Sequence, residues 1–266
     1  VLSVRNHMSV KNRSMGITGL LKNYIIRKSY PMAKQIICLS RSMKEDLINK
    51  YSIQGDLISV IHNPIDLEQM RKTPAPTDEK RYIMTLGSLT GQKNHELLLR
   101  SFARINKSGL KLIIAGKGPL EKRLKTLAKT LGIADRVEFP GWAKDPFSLI
   151  RGSLFTLLTS DYEGCPNVML ESMALGVPVI STPLSGAAQE LLGGECARAS
   201  NSDYKICGSG LVCESSLNAF SEAISALYDD VQLRQKLSKQ AMQRARDFDA
   251  GKIAGEYAEI LDRALK

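Results

Sequence analysis

The chain has 266 residues, 43% hydrophobic and 24% charged, enough apolar material for a sizeable core and too much for an intrinsically disordered chain. No apolar run approaches the roughly 18 residues that span a bilayer, and no secretory signal with a cleavage site is visible. The net charge of +10 is concentrated: residues 1–44 hold nine basic side chains and no acidic one, leaving +1 for the other 222 residues.

At about 150 residues per domain, this length fits one large or two unequal domains. Cys38, Cys165, Cys196, Cys207 and Cys213 form no CxxC pair and share no zinc-ligand spacing with the three histidines, so a reduced, cytoplasmic setting without a metal site is expected. The basic block points to a polyanionic partner, and an anionic membrane surface fits better than nucleic acid. No nucleic-acid motif accompanies the charge, and Tyr24 and Tyr30 are its only aromatics. A solvated face without a partner fits the same charges.

In chain order, "VLSV" opens as a strand, which reads as a start within a longer protein. "AKQIICLS" (33–40) and "LISVIHNPID" (57–66) are strands around the helix "SMKEDLINKYS", and "TPAPTDEK" (73–80) reads as a linker. From residue 81, apolar runs alternate with helical-period stretches. "RYIMTLG" is a predicted strand, and "HELLLRSFARI" a helix with Leu98, Phe102 and Ile105 on one face. "LKLIIAG" leads into the helix "PLEKRLKTLAKTLG", which keeps Leu120, Leu124, Leu127 and Leu131 in phase and stops at Gly132. "RVEFPG" and "SLFTLLT" are strands, "NVMLESMALG" is a helix stopped by Gly176, and "VPVIST" and "GLVC" are the remaining strands. Residues 193–210 lack periodicity and read as a polar, mobile loop, and 217–265 read as two polar-faced helices. Near-continuous apolar strands separated by helices predict an α/β, doubly wound parallel sheet covered on both faces.

In such sheets ligands sit beyond the carboxyl ends of the strands. "GKGPLE" (116–121) follows one strand, but Glu121 stands where a dinucleotide fingerprint wants a third glycine. Gly116 and Gly118 therefore fit a tight strand-to-helix turn, or a lone GxG cradling a phosphate at the next helix N-terminus. "GSLTGQKN" (87–94) follows another strand, and Lys93 is placed to meet an anion or simply to be solvated. "DYEGCPNVMLE" (161–171) is richer. It delivers Glu163 to a strand end, lets the backbone pass closely at "GCP", offers Asn167 as N-cap, and sets Glu171 in the first turns of a helix. Two carboxylates at that spacing fit opposite ends of one ligand lying across a helix N-terminus, an acid–base pair acting on a glycoside, or an acidic loop before a surface helix.

The ordered motifs "LGSLTGQKNHELLLRSFARI", "LIIAGKGPLEKRL", "RVEFPGW", "SDYEGCPNVMLESMALGVPVIST" and "GAAQELL" resemble, in sequence and spacing, the donor-binding half of family-4 retaining glycosyltransferases of the GT-B fold. "SVRN", "CLS" and "VIHNPID" resemble the end of that family's acceptor domain and its hinge. The resemblance implies a GT-B architecture. Residues 1–67 would be the remainder of an acceptor-binding Rossmann-like domain, 68–80 a linker, 81–250 a complete Rossmann-like donor domain, and 251–266 a helix packing back toward the N-terminal part.

It also implies the roles. Glu163 would hold the donor hexose. The backbone of Gly164, Cys165, Pro166, Asn167 and Val168 would meet sugar and diphosphate. Glu171 would hold the ribose, Lys93 the diphosphate, Gly116 and Gly118 would border the cleft, and Trp142 the base. Ser88 stands where the family often has arginine, so one leaving-group contact would come from elsewhere. The activity implied is transfer, with retention, of a hexose or N-acetylhexosamine from a nucleotide-diphosphate sugar to a glycan or lipid-linked acceptor. It would need no metal or other cofactor and no nucleic acid, and would act in surface polysaccharide or lipopolysaccharide assembly at the inner membrane face. A binding-only partner subunit, a sugar-nucleotide epimerase and a phosphorylase are the alternatives.

Overall fold

The structure, a computed structural model, describes residues 1–13, 15–74 and 82–265. Its smaller sheet holds β1 (Leu2–Val4), β2 (Ile36–Cys38) and β3 (Ile58–Val60) in the order β1-β2-β3, all parallel. Parallel neighbours need crossovers. These are α1 (Met8–Arg13) with α2 (Gly16–Ser29) between β1 and β2, and α3 (Arg41–Tyr51) between β2 and β3. Because strand side chains alternate, Ile36 and Cys38 enter the main core, whereas Ile37 turns the other way to meet Ile61, Ile253 and Ile260. Ser40 starts α3 by accepting a bond from the Met43 amide at 3.3 Å.

Neither α1 nor α2 is predicted from the sequence; α2 packs inward through Gly19, Asn23 and Ile26 and has no core-facing apolar stripe. A second departure follows β3. Residues 68–72, expected to begin the linker, form α4 (Leu67–Lys72), whose first turn is capped by Asp66 accepting from the Gln69 amide at 2.9 Å. The remainder of that expectation, residues 75–80, lies outside the described residues.

The larger sheet has eight strands. β4 (Tyr82–Leu86), β5 (Lys111–Ala115) and β6 (Val137–Gly141) alternate with α5 (His95–Ala103) and α6 (Glu121–Thr130). α7 (Pro146–Arg151) then leads to β7 (Thr156–Leu158), α8 (Asn167–Ala174), β8 (Val179–Ser181) and α9 (Ala187–Leu192). β9 (Ala197–Arg198), β10 (Tyr204–Ile206) and β11 (Gly210–Cys213) complete the sheet in the order β6-β5-β4-β7-β8-β11-β10-β9. The chain winds outward from β4 through β5 to β6, then returns beside β4 and winds the other way through β7 and β8. The two predicted stop glycines, Gly132 and Gly176, both have φ of +69°.

Residues 193–210 are not a featureless loop. β10 pairs antiparallel with β11 through Lys205↔Val212 and with β9 through Lys205↔Arg198, and Cys196 and Cys207 are joined by a disulfide. The expectation of five reduced cysteines therefore fails at this pair, whereas Cys38, Cys165 and Cys213 are buried free thiols. Strands of two and three residues are too short to show alternation, and their pairing depends on the edge that β11 offers.

The C-terminal region holds three helices rather than two: α10 (Leu217–Asp229), α11 (Val231–Ala245) and α12 (Ala250–Leu265). The missed break is Asp230, which ends α10 in an extended conformation and caps α11 by accepting from the Leu233 amide at 2.8 Å. No glycine or proline marks that turn in the sequence. Ile253 and Ile260 of α12 pack on Ile37 and Ile61, so the end of the chain lies against the smaller sheet.

His95, the first residue of α5, is 3% exposed, and its Nδ1 has no hydrogen-bond partner among the described residues. Burial, helped by the charge of Lys93, pushes its imidazole down to about 4. The folded state thus holds His95 neutral where the unfolded chain, with its ordinary value near 6.5, takes up a proton. Stability is full above pH 6.5 and falls as the pH drops toward 4, by on the order of 2–3 kcal/mol from this residue. Unfolding midpoints measured from pH 7 to 4 should fall less steeply in His95→Phe than in the parent chain.

Candidate active site

The larger sheet changes winding direction between β4 and β7, and the loops after those two strands carry most of the sequence-predicted site. After β4, Gly87 donates to the Ala115 carbonyl at 3.0 Å, and Leu89 donates to the Lys117 carbonyl at 3.0 Å. The loop after β5 therefore lies backbone to backbone on the loop after β4. A Cβ on Gly116, whose φ is +141°, would collide with the Gly87 carbonyl, and one on Gly118 would collide with Leu89. Gly116 faces the cavity beyond. Gly118 is not part of its lining and serves the packing against Leu89.

That cavity, about 360 Å³, is bounded by Gly87, Ser88, Gly116, Lys117, Trp142, Phe147 and Glu171 among others. Trp142 is 76% exposed at its rim, an indole face held open to solvent. Glu171 lies in the second turn of α8, half-buried, and burial raises its carboxyl above the ordinary value. Its carboxylate meets no side-chain partner among the described residues.

Lys93 and Glu163 are brought together directly, their ammonium and carboxylate forming an ion pair whose side chains are 22% and 13% exposed. The Ser160 hydroxyl also donates to Glu163, at 3.0 Å. The pair is fixed because its two loops are zipped together. The Asp161 amide donates to the Gln92 carbonyl at 2.9 Å, the Gln92 side-chain amide to the Tyr162 carbonyl at 2.9 Å, and the Thr159 hydroxyl to the Lys93 carbonyl at 2.8 Å. Lys93 reaches back to the cavity wall, its Nζ 3.7 Å from where a Cβ on Gly87 would stand. Lys93 thus links the cavity wall at Gly87 to Glu163.

Asn167 does not cap α8. Pro166 holds the capping position, Asn167 is the first helical residue, and its Oδ1 accepts from Asn63 Nδ2 at 2.8 Å instead of from its own helix. The same Asn63 amide donates to the Cys165 carbonyl at 2.9 Å, and Asn63 Oδ1 accepts from the Arg5 guanidinium at 3.0 Å. Cys165, Pro166 and Val168 are buried, so they offer backbone rather than side chains. Burial pushes the Cys165 thiol up to about 12, which leaves it protonated and inert at neutral pH. At Gly164 any side chain would strike the Arg5 carbonyl and the Met43 sulfur, so the loop and the N-terminal segment touch through this glycine.

Sequence reasoning missed Arg5 and Asn63 as site residues. Arg5 enters the sequence reading within the basic block and within "SVRN", without a site role; its exposed side chain bonds Asn63 and its carbonyl lies against Gly164. Nothing in local pattern marks Asn63, whose partners lie 58, 102 and 104 positions away. Nearby, Glu190 of α9 accepts from His62 Nε2 at 3.0 Å and from the Arg41 amide at 2.7 Å, a second tie between the two sheets.

The Campylobacter jejuni N-acetylgalactosamine-N,N'-diacetylbacillosaminyl-diphospho-undecaprenol 4-alpha-N-acetylgalactosaminyltransferase is 30% identical over 256 residues, which are 95% of this chain and 67% of that protein. The Salmonella typhimurium lipopolysaccharide 1,6-galactosyltransferase is 28% identical over 57% of this chain and 43% of its own length. Among solved structures, Anabaena HepE in complex with UDP-glucose superposes with a TM-score of 0.82 at 20% identity, over 98% of this chain and 71% of that one, a likeness of fold. The architecture is the GT-B type. Residues 6–69 match the model of Glycosyltransferase Family 4, and residues 66–244, two thirds of the chain including the loops after β4, β5 and β7, match that of Glycosyl transferases group 1. The chain belongs to the group 1 glycosyltransferases.

Proposed function

We propose that the chain transfers a hexose or N-acetylhexosamine from a nucleotide-diphosphate sugar to a glycan or lipid-linked acceptor, with retention at the anomeric carbon, in bacterial-type surface glycan assembly. One observation carries this reading. Glu171 faces a cavity whose wall at Gly87 adjoins the Lys93–Glu163 pair, so one ligand of nucleoside, diphosphate and sugar spans three matched chemistries in order. Trp142 offers a face to the base, and the Glu171 carboxylate accepts the ribose hydroxyls. Lys93 meets the diphosphate at the uncapped N-terminal end of α8, and Glu163 takes the sugar.

The Lys93–Glu163 pair has a chemical consequence. A diphosphate drawing the ammonium toward itself leaves the Glu163 carboxylate facing the hexose, where positive charge develops as the leaving group departs. Arg5 adds a cation near this loop, its guanidinium bonded to the Asn63 side chain that also holds the Cys165 carbonyl. The reading calls on no metal, and among the described residues no group of three His, Cys, Asp or Glu side chains is placed to hold one. The relatives named above act, by their names, on a lipid-linked oligosaccharide and on lipopolysaccharide, which supports an acceptor of that class. Incubation with a panel of nucleotide sugars and lipid-linked acceptors, with the anomeric configuration of the product read by NMR, tests the proposal. An inverted product, or an altered free donor without transfer, would refute it.

Glu163 and Glu171 should fail differently. Glu171→Ala should weaken free nucleoside diphosphate and donor alike by about 1.5–3 kcal/mol, roughly ten- to a hundredfold by calorimetry. Glu163→Gln should leave free diphosphate binding intact or tighter, because it releases Lys93, while turnover falls at least tenfold.

Glu171 also generates a pH signature. Its raised carboxyl keeps a proton in the folded state at a pH where the unfolded chain has lost it, so its stabilising contribution is present below the ordinary value of 4.5 and lost as pH rises through the folded value. Glu171→Gln should therefore raise the unfolding midpoint at pH 7 while weakening nucleotide binding. It should also abolish a loss of affinity that sets in, on acidification, above pH 4.5.

Asn63→Ala would leave the Cys165 carbonyl and the Asn167 side chain without their shared donor. A stability loss of about 1–3 kcal/mol is expected. Steady-state kinetics should show kcat falling more than nucleotide affinity, because the loop that positions the sugar is displaced while the Glu171 cavity is not.

A further inference from the structure

We infer that α2 is a membrane-docking ridge that seats the protein on an anionic bilayer. The helix is about 21 Å long at 1.5 Å per residue. Its inner side is fixed. A Cβ on Gly19 would collide with the Asn12 carbonyl, Ile26 is buried, and Asn23 accepts from Asn12 Nδ2 at 2.8 Å and from the Tyr51 hydroxyl at 2.7 Å. The helix therefore cannot roll its other side inward.

That other side is apolar. Ile17, Leu21 and Tyr24 follow one another at helical spacing opposite Gly19 and Ile26, exposed by 85%, 61% and 61%, with Leu20 at 69% and Ile25 at 50% on their flanks. Lys28 continues the same line, and Lys22 and Arg27 border it. Leu20 and Val10 share a groove with Arg13 and Lys50. Apolar side chains on the outer face, bordered by cations, match a bilayer interface, where the ridge enters the acyl boundary and the cations meet lipid phosphates.

Charge selects this occupant over a second copy of the chain. α2 carries Lys22, Arg27 and Lys28 and no acidic side chain, so a symmetric pairing through it would set like charges against each other. The inference rests on the proposed function for its purpose, which is to hold the active site where a lipid-linked acceptor resides. Vesicles without acceptor read docking separately from transfer.

The test is co-sedimentation of the 266-residue chain with phosphatidylcholine vesicles that do or do not contain phosphatidylglycerol, at about 50 to 500 mM NaCl. Binding to the anionic vesicles should be at least tenfold tighter and should weaken as salt rises. The double variant Leu21→Glu/Tyr24→Glu should lose it at least tenfold with its unfolding midpoint unchanged, and Lys22→Gln/Lys28→Gln should flatten the salt dependence. Equal binding to both vesicle types would overturn the inference, as would anionic binding that survives the Leu21/Tyr24 change. So would self-association in solution that the same change abolishes while vesicle binding is absent.

Discussion

A parallel sheet that reverses its winding must leave two adjacent strand ends without a crossover above them, and this constraint organises the molecule. The reversal falls between β4 and β7, so the loops at Gly87–Lys93 and Thr159–Asn167 lie side by side with no crossover helix between them. Their backbones zip together, the Lys93–Glu163 pair forms where they meet, and the cavity holding Glu171 opens beside it. Gly116 makes the arrangement sterically feasible by letting a third loop approach Gly87 without a side chain between them.

The smaller sheet is not an independent neighbour. Asn63 and His62, just after β3, reach Cys165, Asn167 and Glu190 of the larger unit, and Ile65 is bridged to Asp249. The chain then returns through α12 to cover Ile37 and Ile61. The Gly164–Asn167 loop is thus held from two directions, by its own sheet and by the segment after β3. The Gly164–Asn167 backbone meets the smaller unit through the Asn63 side chain and through the contact of Gly164 with Arg5 and Met43.

Much of this was legible in the sequence where local chemistry decides it. Near-continuous apolar runs such as 112–115 identify the parallel strands, and Gly132 and Gly176 mark helix ends because left-handed backbone favours glycine. Glu163, Glu171 and Lys93 could be singled out from their places after strands. The misses concern partners chosen at long range. Asn167 resembles a cap in sequence, but Asn63 claims its side chain, and Asp230 divides two helices without a glycine or proline to announce it. β9 and β10 exist only against β11, and the pairing of Cys196 with Cys207 follows from that short hairpin rather than from any recognised spacing. α2 has no core-facing apolar stripe to mark it, because its larger apolar side chains face outward.

The order of strands in the larger sheet has one more effect, on how molecules behave when crowded. Its two margins are β6 and β9. β6 carries Pro140, which has no amide hydrogen to offer an incoming strand, and β9 is two residues long, within a hairpin closed covalently at Cys196 and Cys207. Neither margin offers a long, regular row of free backbone groups. Copies side by side would find no template along this sheet on which one polypeptide could continue into the next.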